Sequence, residues 1–417
     1  MAVAISQLRA LTTDERLLFA TRTVRLFAYG FLSVVLVLYL AQIGLSETQI
    51  GLLLTLTLVG DTLISLWITT SADRIGRRRM LVLSAGLMVL AGVLFAFTGN
   101  FIMLLIAATI GVISPSGGEV GPFLAVEQAA LAQMVVSQQR TAVFAWYNLV
   151  GSFATALGAL LGGSLLQGLQ GIQIEVTTSY RVVIVGYAVV GMVLIYLFQH
   201  LSPATEANHL TASNAPVRGL FGLHRSRNTI LKLSALFALD AFGGAFVLQS
   251  IVVYWFHVRY GVEPVLLGAI FFGANILAGI SALSAAAVAR RIGLINTMVF
   301  THIPSNILLI LVPLMPNLPL AITMLLLRFS ISQMDVPTRQ SYTMAVVDPD
   351  ERSAAAGVTS IARTVGAAIA PVLTGLLLSN PALLSVPFFI AGGLKIVYDL
   401  ILYRLFQSEK PPEELVR

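Results

Sequence analysis

Apolar residues in this chain come in long blocks, with no short period of alternation. Twelve blocks, at roughly 19–43, 50–72, 80–98, 101–133, 142–167, 180–200, 229–257, 265–289, 294–315, 318–346, 354–378 and 385–405, are each long enough to cross bilayer hydrocarbon as a helix. Polar residues fill short connections, apart from one longer interruption at 201–228. That stretch holds Pro203, Thr205, Glu206, Asn208, Ser213, Asn214, Pro216 and Arg218 and shows no apolar periodicity. The pattern predicts an all-α membrane protein: six helices over 1–200, a linker over 201–228, and six more helices over 229–417.

Composition agrees. The chain is 57% hydrophobic and 11% charged, whereas soluble domains carry about 25% charged residues. A net charge of +6 could suggest nucleic acid, but the basic residues lie on short loops, where they answer to lipid and topology. With no cysteine, disulfides, thiolate metal sites and cysteine nucleophiles are excluded. Residues 1–18 are polar, and the first span is too long for a cleaved signal and lacks a small-residue cleavage site, so it is expected to stay in the membrane. Arg9, Arg16, Arg22, the arginines of 74–79, Arg140, Arg218, Arg225, Arg227, Lys232, Arg290, Arg291, Arg352, Arg404, Lys410 and Arg417 fall on one side; the opposite loops hold only Arg181 and Arg259. Basic loops stay inside, so both termini are expected in the cytoplasm, with the protein in the cell membrane.

The two sixes repeat each other. Arg-Ile-Gly at 74–76 returns at 291–293, and Gly158, Gly162 and Gly163 return as Ala370, Thr374 and Gly375. Asp61 is matched by Asn275, Gln128 by Gln340 and Arg140 by Arg352, all at offsets of 212 to 217 residues. Two six-helix repeats of one topology are a recurrent plan of secondary transporters.

Between the second and third spans lies Asp73-Arg74-Ile75-Gly76-Arg77-Arg78-Arg79, five charges in seven residues. As charge alone it is a topological anchor. Its spacing, Asp-Arg-x-Gly-Arg-Arg, resembles the loop signature of the major facilitator superfamily of secondary transporters, with Thr69 where the family has glycine. The resemblance implies two pseudo-symmetric six-helix bundles that rock about a central site. It implies that Asp73 meets the amides at the start of span eleven, near 353–357, while Arg74, Gly76, Arg77 and Arg78 hold the loop. It also implies that spans one, four, seven and ten line the cavity, and that the protein works as a monomer.

Ionisable residues at membrane depth cost at least about 2.5–3.5 kcal/mol each on insertion scales, and so mark polar paths or partners. Asp61, Asp240, Arg328 and Arg363 lie near the midplane; Arg25, Glu119, Glu127, Asp335 and Arg339 lie shallower. Asp61, Glu119 and Asp240 are candidate proton carriers, with Arg25, Arg328 and Arg363 as partners and Asp335 beside them; the plain alternative is internal pairing. Lys395 and Asp399, four apart on span twelve, are expected to neutralise each other outside the site. His302 on span nine shows no ligand spacing. Glu127 and Arg339 occupy matching positions with opposite charge and are expected to meet as the inner side closes.

Span four carries Pro115, Gly117, Gly118, Glu119, Gly121 and Pro122, which predicts a kinked or unwound helix beside a carboxylate. The glycines of span five have two readings: close helix packing, or a resemblance to the antiporter signature of drug–proton exchangers, with Ala159 where that signature has proline. No nucleophile set, phosphate loop or metal constellation stands out, so no enzyme and no cofactor is implied. The reading is a secondary transporter of a small solute, coupled to protons. Export by antiport is favoured by the span-five glycines; uptake of a polar or anionic metabolite by symport is favoured by the buried arginines.

Overall fold

A computed structural model describes residues 12–119, 121–135, 137–206, 225–348 and 351–408, without the side chains of Asp73, 137–142 and Ser353. All twelve expected spans are helical. Ten are long and apolar enough to cross a membrane as described; four and ten are divided into shorter helices. Span one begins at Thr13 rather than near 19, because Thr12 and Glu15 form a reciprocal capping box: Thr12 N donates to Glu15 Oε2 at 2.7 Å and Glu15 N to Thr12 Oγ1 at 3.4 Å. Ser46 and Gln49 start span two, Glu47–Ile75, in the same way.

Eight spans are continuous: two, Glu47–Ile75; three, Arg77–Phe97; five, Ser137–Gly171; six, Val176–Gln199; eight, Pro264–Ile292; nine, Leu294–Leu311; eleven, Arg352–Leu378; and twelve, Val386–Phe406. The other four are broken. Span one is Thr13–Ser33 and Leu36–Gln42, span four Phe101–Ile110 and Phe123–Met134, span seven Arg227–Ala245 and Gln249–Tyr260, and span ten Leu318–Ile331 and Asp335–Ala345. The break in span four is the predicted one. In span one the Ser33 hydroxyl donates to the Gly30 carbonyl at 2.7 Å, and the Val35 amide turns back to Leu32, a local bond that bends helices. In span seven the amides at 246 and 247 reach back three residues to Gly243 and Gly244. In span ten Pro337 has no amide for the Gln333 carbonyl and crowds it, so the helix restarts at Asp335.

Chain contacts divide the protein into two units: Met1–Ala212 with Gln249–Phe272, and Ser213–Leu248 with Gly273–Arg417. The second part of span seven, Gln249–Tyr260, therefore goes with the first unit. There Gln249 Nε2 donates to Ser33 Oγ at 2.7 Å, Ser250 N to the Pro115 carbonyl at 3.1 Å and Tyr254 to Glu47 at 2.8 Å.

Inside each unit the same helix pairs recur. Span one packs on five and three on six; span seven packs on eleven and nine on twelve. Span five approaches span one so closely that a Cβ at Gly158 would lie 2.0 Å from the Phe27 carbonyl oxygen, and one at Gly162 2.4 Å from that of Phe31. Spans three and nine each start after a glycine with positive φ, Gly76 at 115° and Gly293 at 90°. The second unit is filled by an apolar cluster including Ile230, Phe237, Met298, Tyr342, Tyr398 and Phe406.

Candidate functional site

In the first unit, span one carries two arginines three residues apart, and the broken span four supplies two glutamates to meet them. Arg25 donates Nη1 and Nη2 to the two oxygens of Glu127, at 2.7 and 2.8 Å, and Nε to Glu119 at 3.0 Å. Arg22 donates to Glu119 at 2.8 Å, to the Tyr147 carbonyl at 2.8 Å and to Asn148 at 3.0 Å. Glu127 also accepts from Thr21 at 2.8 Å and from the Tyr147 hydroxyl. Arg25 and Glu127 are fully buried. Such a network is stable in apolar surroundings only because nearly every donor and acceptor is taken. The unwound residues 111–119 place the Glu119 carboxylate between both guanidinia.

Asp61 stands apart from these bridges. It sits at the middle of Glu47–Ile75, half-buried, and accepts from Ser65 Oγ at 3.3 Å and from the amide of Gly121 on span four. Among the described residues no cation lies within ion-pair distance of it.

The second unit is built around one buried acid. Asp240 Oδ1 takes Lys395 Nζ at 2.5 Å; Oδ2 takes Arg363 at 3.0 Å and Arg339 at 3.4 Å. Arg339 also binds Asp335, four residues before it, at 2.7 Å. His302 Nδ1 lies 2.8 Å from Asp399 Oδ1 and Nε2 3.9 Å from Asp240 Oδ1, and Asn306 donates to Asp399 at 3.1 Å. Arg328, also half-buried, has its Nε shielded and without a hydrogen-bond acceptor, and its guanidinium lies 4.9 Å from the Phe329 ring centre.

The structure thus gathers Arg25, Glu119 and Glu127 in one group, and Asp240, Asp335, Arg339 and Arg363 in another. Asp61 and Arg328 belong to no ion pair among the described residues. The expected neutralisation of Lys395 by Asp399 is corrected: Lys395 reaches across to Asp240, its stem lying over Gly243 and Gly244, which leave it room, and Asp399 pairs with His302 and Asn306. Both residues therefore belong with the buried charges. Glu127 and Arg339 each have partners within their own unit.

At the signature loop, Glu206 accepts from the amides of Arg77 at 2.6 Å and Arg78 at 3.3 Å. Arg77 donates to Gln133 and to the Thr205 carbonyl, and Arg78 to the Leu201 carbonyl. Arg74 is exposed, and Gly76 precedes the helix with its positive φ. The side chains of Asp73 and Ser353, and the matched Arg140, lie outside the described residues. In the second unit Glu351, fully buried, accepts from the amides of Arg225 and Ser226 at 2.8 Å each.

Sequence reading missed Arg22, Tyr147, His302, Lys395 and Asp399 as members of the buried networks. For Arg22 the one available signal is its spacing, three residues from Arg25 on the same helix face.

The family model described as Major Facilitator Superfamily matches residues 18–371. The chain is 33% identical to the uncharacterized membrane protein YJR124C of Saccharomyces cerevisiae over 421 residues, covering 94% of each. Among solved structures it resembles the nucleoside transporter NupG, at TM-score 0.71 and 13% identity, covering 95% of this chain and 100% of that one. It also resembles a D-xylose–proton symporter, at TM-score 0.72 and 15% identity, covering 94% and 97%. With that match, the repeated helix pairs and the charged interiors together, this chain belongs to the major facilitator superfamily of transporters.

Proposed function

We propose that this chain is a secondary transporter that moves a small polar solute together with protons by alternating access, and that Asp61 carries the proton. The observation that supports this reading is the isolation of Asp61. Of the candidate carriers, Glu119 bridges two arginines and Asp240 bridges three cations. Protonating either would break ion pairs and leave buried cations unmatched, which is strongly unfavourable. Among the described residues Asp61 holds only Ser65 and a backbone amide, so it can gain and lose a proton as water reaches it from one side and then the other. Its place at the centre of Glu47–Ile75 puts it about 20 Å from either helix end, near the midplane, where such sites lie.

Co-movement is favoured over exchange because the span-five glycines that argued for export are accounted for by contact with span one. Gly158 and Gly162 stand against the Phe27 and Phe31 carbonyls.

The test uses the purified protein in vesicles that enclose a pH-sensitive dye, offered sugars, nucleosides and monocarboxylates in turn. The expected result is acidification of the interior when a transported solute is added outside, lost in Asp61→Asn. Alkalinisation would replace symport by exchange, and proton movement in Asp61→Asn like that of the wild type would end the reading.

A further inference from the structure

We propose that Arg328 and Ser332 form the recognition site for the solute, and that the solute is a small organic monoanion of the carboxylate class. This rests on the reading of Asp61 as the proton site.

Arg328 is the eleventh residue of Leu318–Ile331, about 15 Å into the span. The other three interior cations of its unit, Arg339, Arg363 and Lys395, are bound to Asp240, and Arg339 also to Asp335. Arg328 forms no hydrogen bond or ion pair among the described residues, although its Nε is closed off from solvent. Ser332, one helical turn on and 5% exposed, likewise has a buried Oγ with no partner. Shielding a donor without giving it an acceptor is costly, and more so for a charged group. Two such groups one turn apart define a place lacking an acceptor. A carboxylate supplies what is missing: acceptor oxygens, and a planar group that an arginine grips with paired N–H bonds.

The charge of the ligand follows from the two interiors. Counting the arginines, lysine and carboxylates set away from the span ends, the first unit sets Arg22 and Arg25 against Glu119, Glu127 and Asp61. The second sets Arg328, Arg339, Arg363 and Lys395 against Asp240, Asp335 and Asp399. The first is one negative charge in excess, the second one positive. The empty protein is therefore balanced inside, and so is the protein holding one proton and one monoanion. With the proton alone or the anion alone a net charge is left in apolar surroundings, which is disfavoured. That balance links the two movements: half-loaded forms resist switching, while empty and fully loaded forms do not. A neutral solute or a dianion would break it.

Thermal unfolding of the full-length protein in detergent at one fixed pH tests binding without any proton movement across a membrane. The probes are lactate and benzoate, their neutral amides lactamide and benzamide, and succinate. At least one monocarboxylate should raise the midpoint saturably, and the amides and succinate should do so weakly or not at all. Arg328→Gln should weaken the apparent affinity at least about tenfold, Ser332→Ala by about threefold, and Arg328→Lys, which keeps charge but loses the fork, should fall between wild type and Arg328→Gln. If Arg328→Gln does not fold, Arg328→Lys and Ser332→Ala carry the test. A shift with neither monocarboxylate, equal shifts with the amides, or unaltered affinity in the variants that fold overturns the inference. Loss of coupling in Asp61→Asn is a separate measurement, so either reading can fail alone.

Discussion

The two halves share helix pairs but reverse the sign of their central bridge. In the first, span one gives the cation and span four the anion, as Arg25 to Glu127 at 2.7 Å. In the second, span seven gives the anion and span ten the cation, as Asp240 to Arg339 at 3.4 Å. Arg25 and Asp240 are 215 residues apart and Glu127 and Arg339 are 212 apart, so the same bridge stands at matching places with its polarity inverted. The surroundings differ too. The first half is a ladder in which two arginines share two glutamates; the second is a hub in which one aspartate serves three cations. The repeat preserves where charge is buried, while sign and stoichiometry are free to diverge.

The largest effect should separate hub from ladder. Asp240→Ala leaves Lys395, Arg363 and much of Arg339 facing one another, at a cost of about 3–5 kcal/mol or more. Arg25→Gln should cost less, since Arg22 still holds Glu119, and Thr21 and Tyr147 still hold Glu127. The monodisperse fraction after detergent extraction measures both, and equal losses would dissolve the contrast. The shared scaffold is probed next. Gly158→Val drives a side chain into the Phe27 carbonyl, and Gly366→Val one into the Ala238 carbonyl, where a Cβ would already lie 2.3 Å away. Each should destabilise by about 1–3 kcal/mol; an effect in only one half would limit the likeness to topology.

The hub's membership can be sharpened by double-mutant cycles. Lys395→Met combined with Asp240→Asn should show coupling of about 1–3 kcal/mol, and combined with Asp399→Asn about 0.5 kcal/mol or less. The reverse order would restore the local pair on span twelve. The smallest effect concerns the helix starts: Glu206→Gln should lower stability by about 0.5–1 kcal/mol, and the fully buried Glu351→Gln by somewhat more, read as shifts in unfolding midpoint.

How much of this was legible in the sequence depends on the range of each interaction. Blocks of apolar residues reveal spans because bilayer thickness sets their length, and Pro115, Gly117, Gly118, Gly121 and Pro122 reveal the break in span four because they act on their own backbone. Pro337 carried a comparable local signal for span ten. The break in span one had only Gly30 and Ser33 to announce it, residues common in unbroken membrane helices. Partners were harder. Lys395 and Asp399, four apart, form a plausible pair by spacing, but a lysine stem crossing two glycines of another helix cannot be read from one helix alone. Arg22 was hidden for a different reason: a charge near the edge of an apolar block reads as loop.

Glu206 bears on where the first half ends. The carboxylate that sits on the amides of Arg77 and Arg78 comes from beyond the last transmembrane residue, and Ser202 likewise binds Asp14, through its amide at 3.0 Å and its hydroxyl at 2.5 Å. A fragment stopped at residue 200 would lack both clasps, whereas one carried through 206 would keep them. Anyone expressing the half as an autonomous piece, or grafting it into a chimera, should therefore place the cut after this short coda.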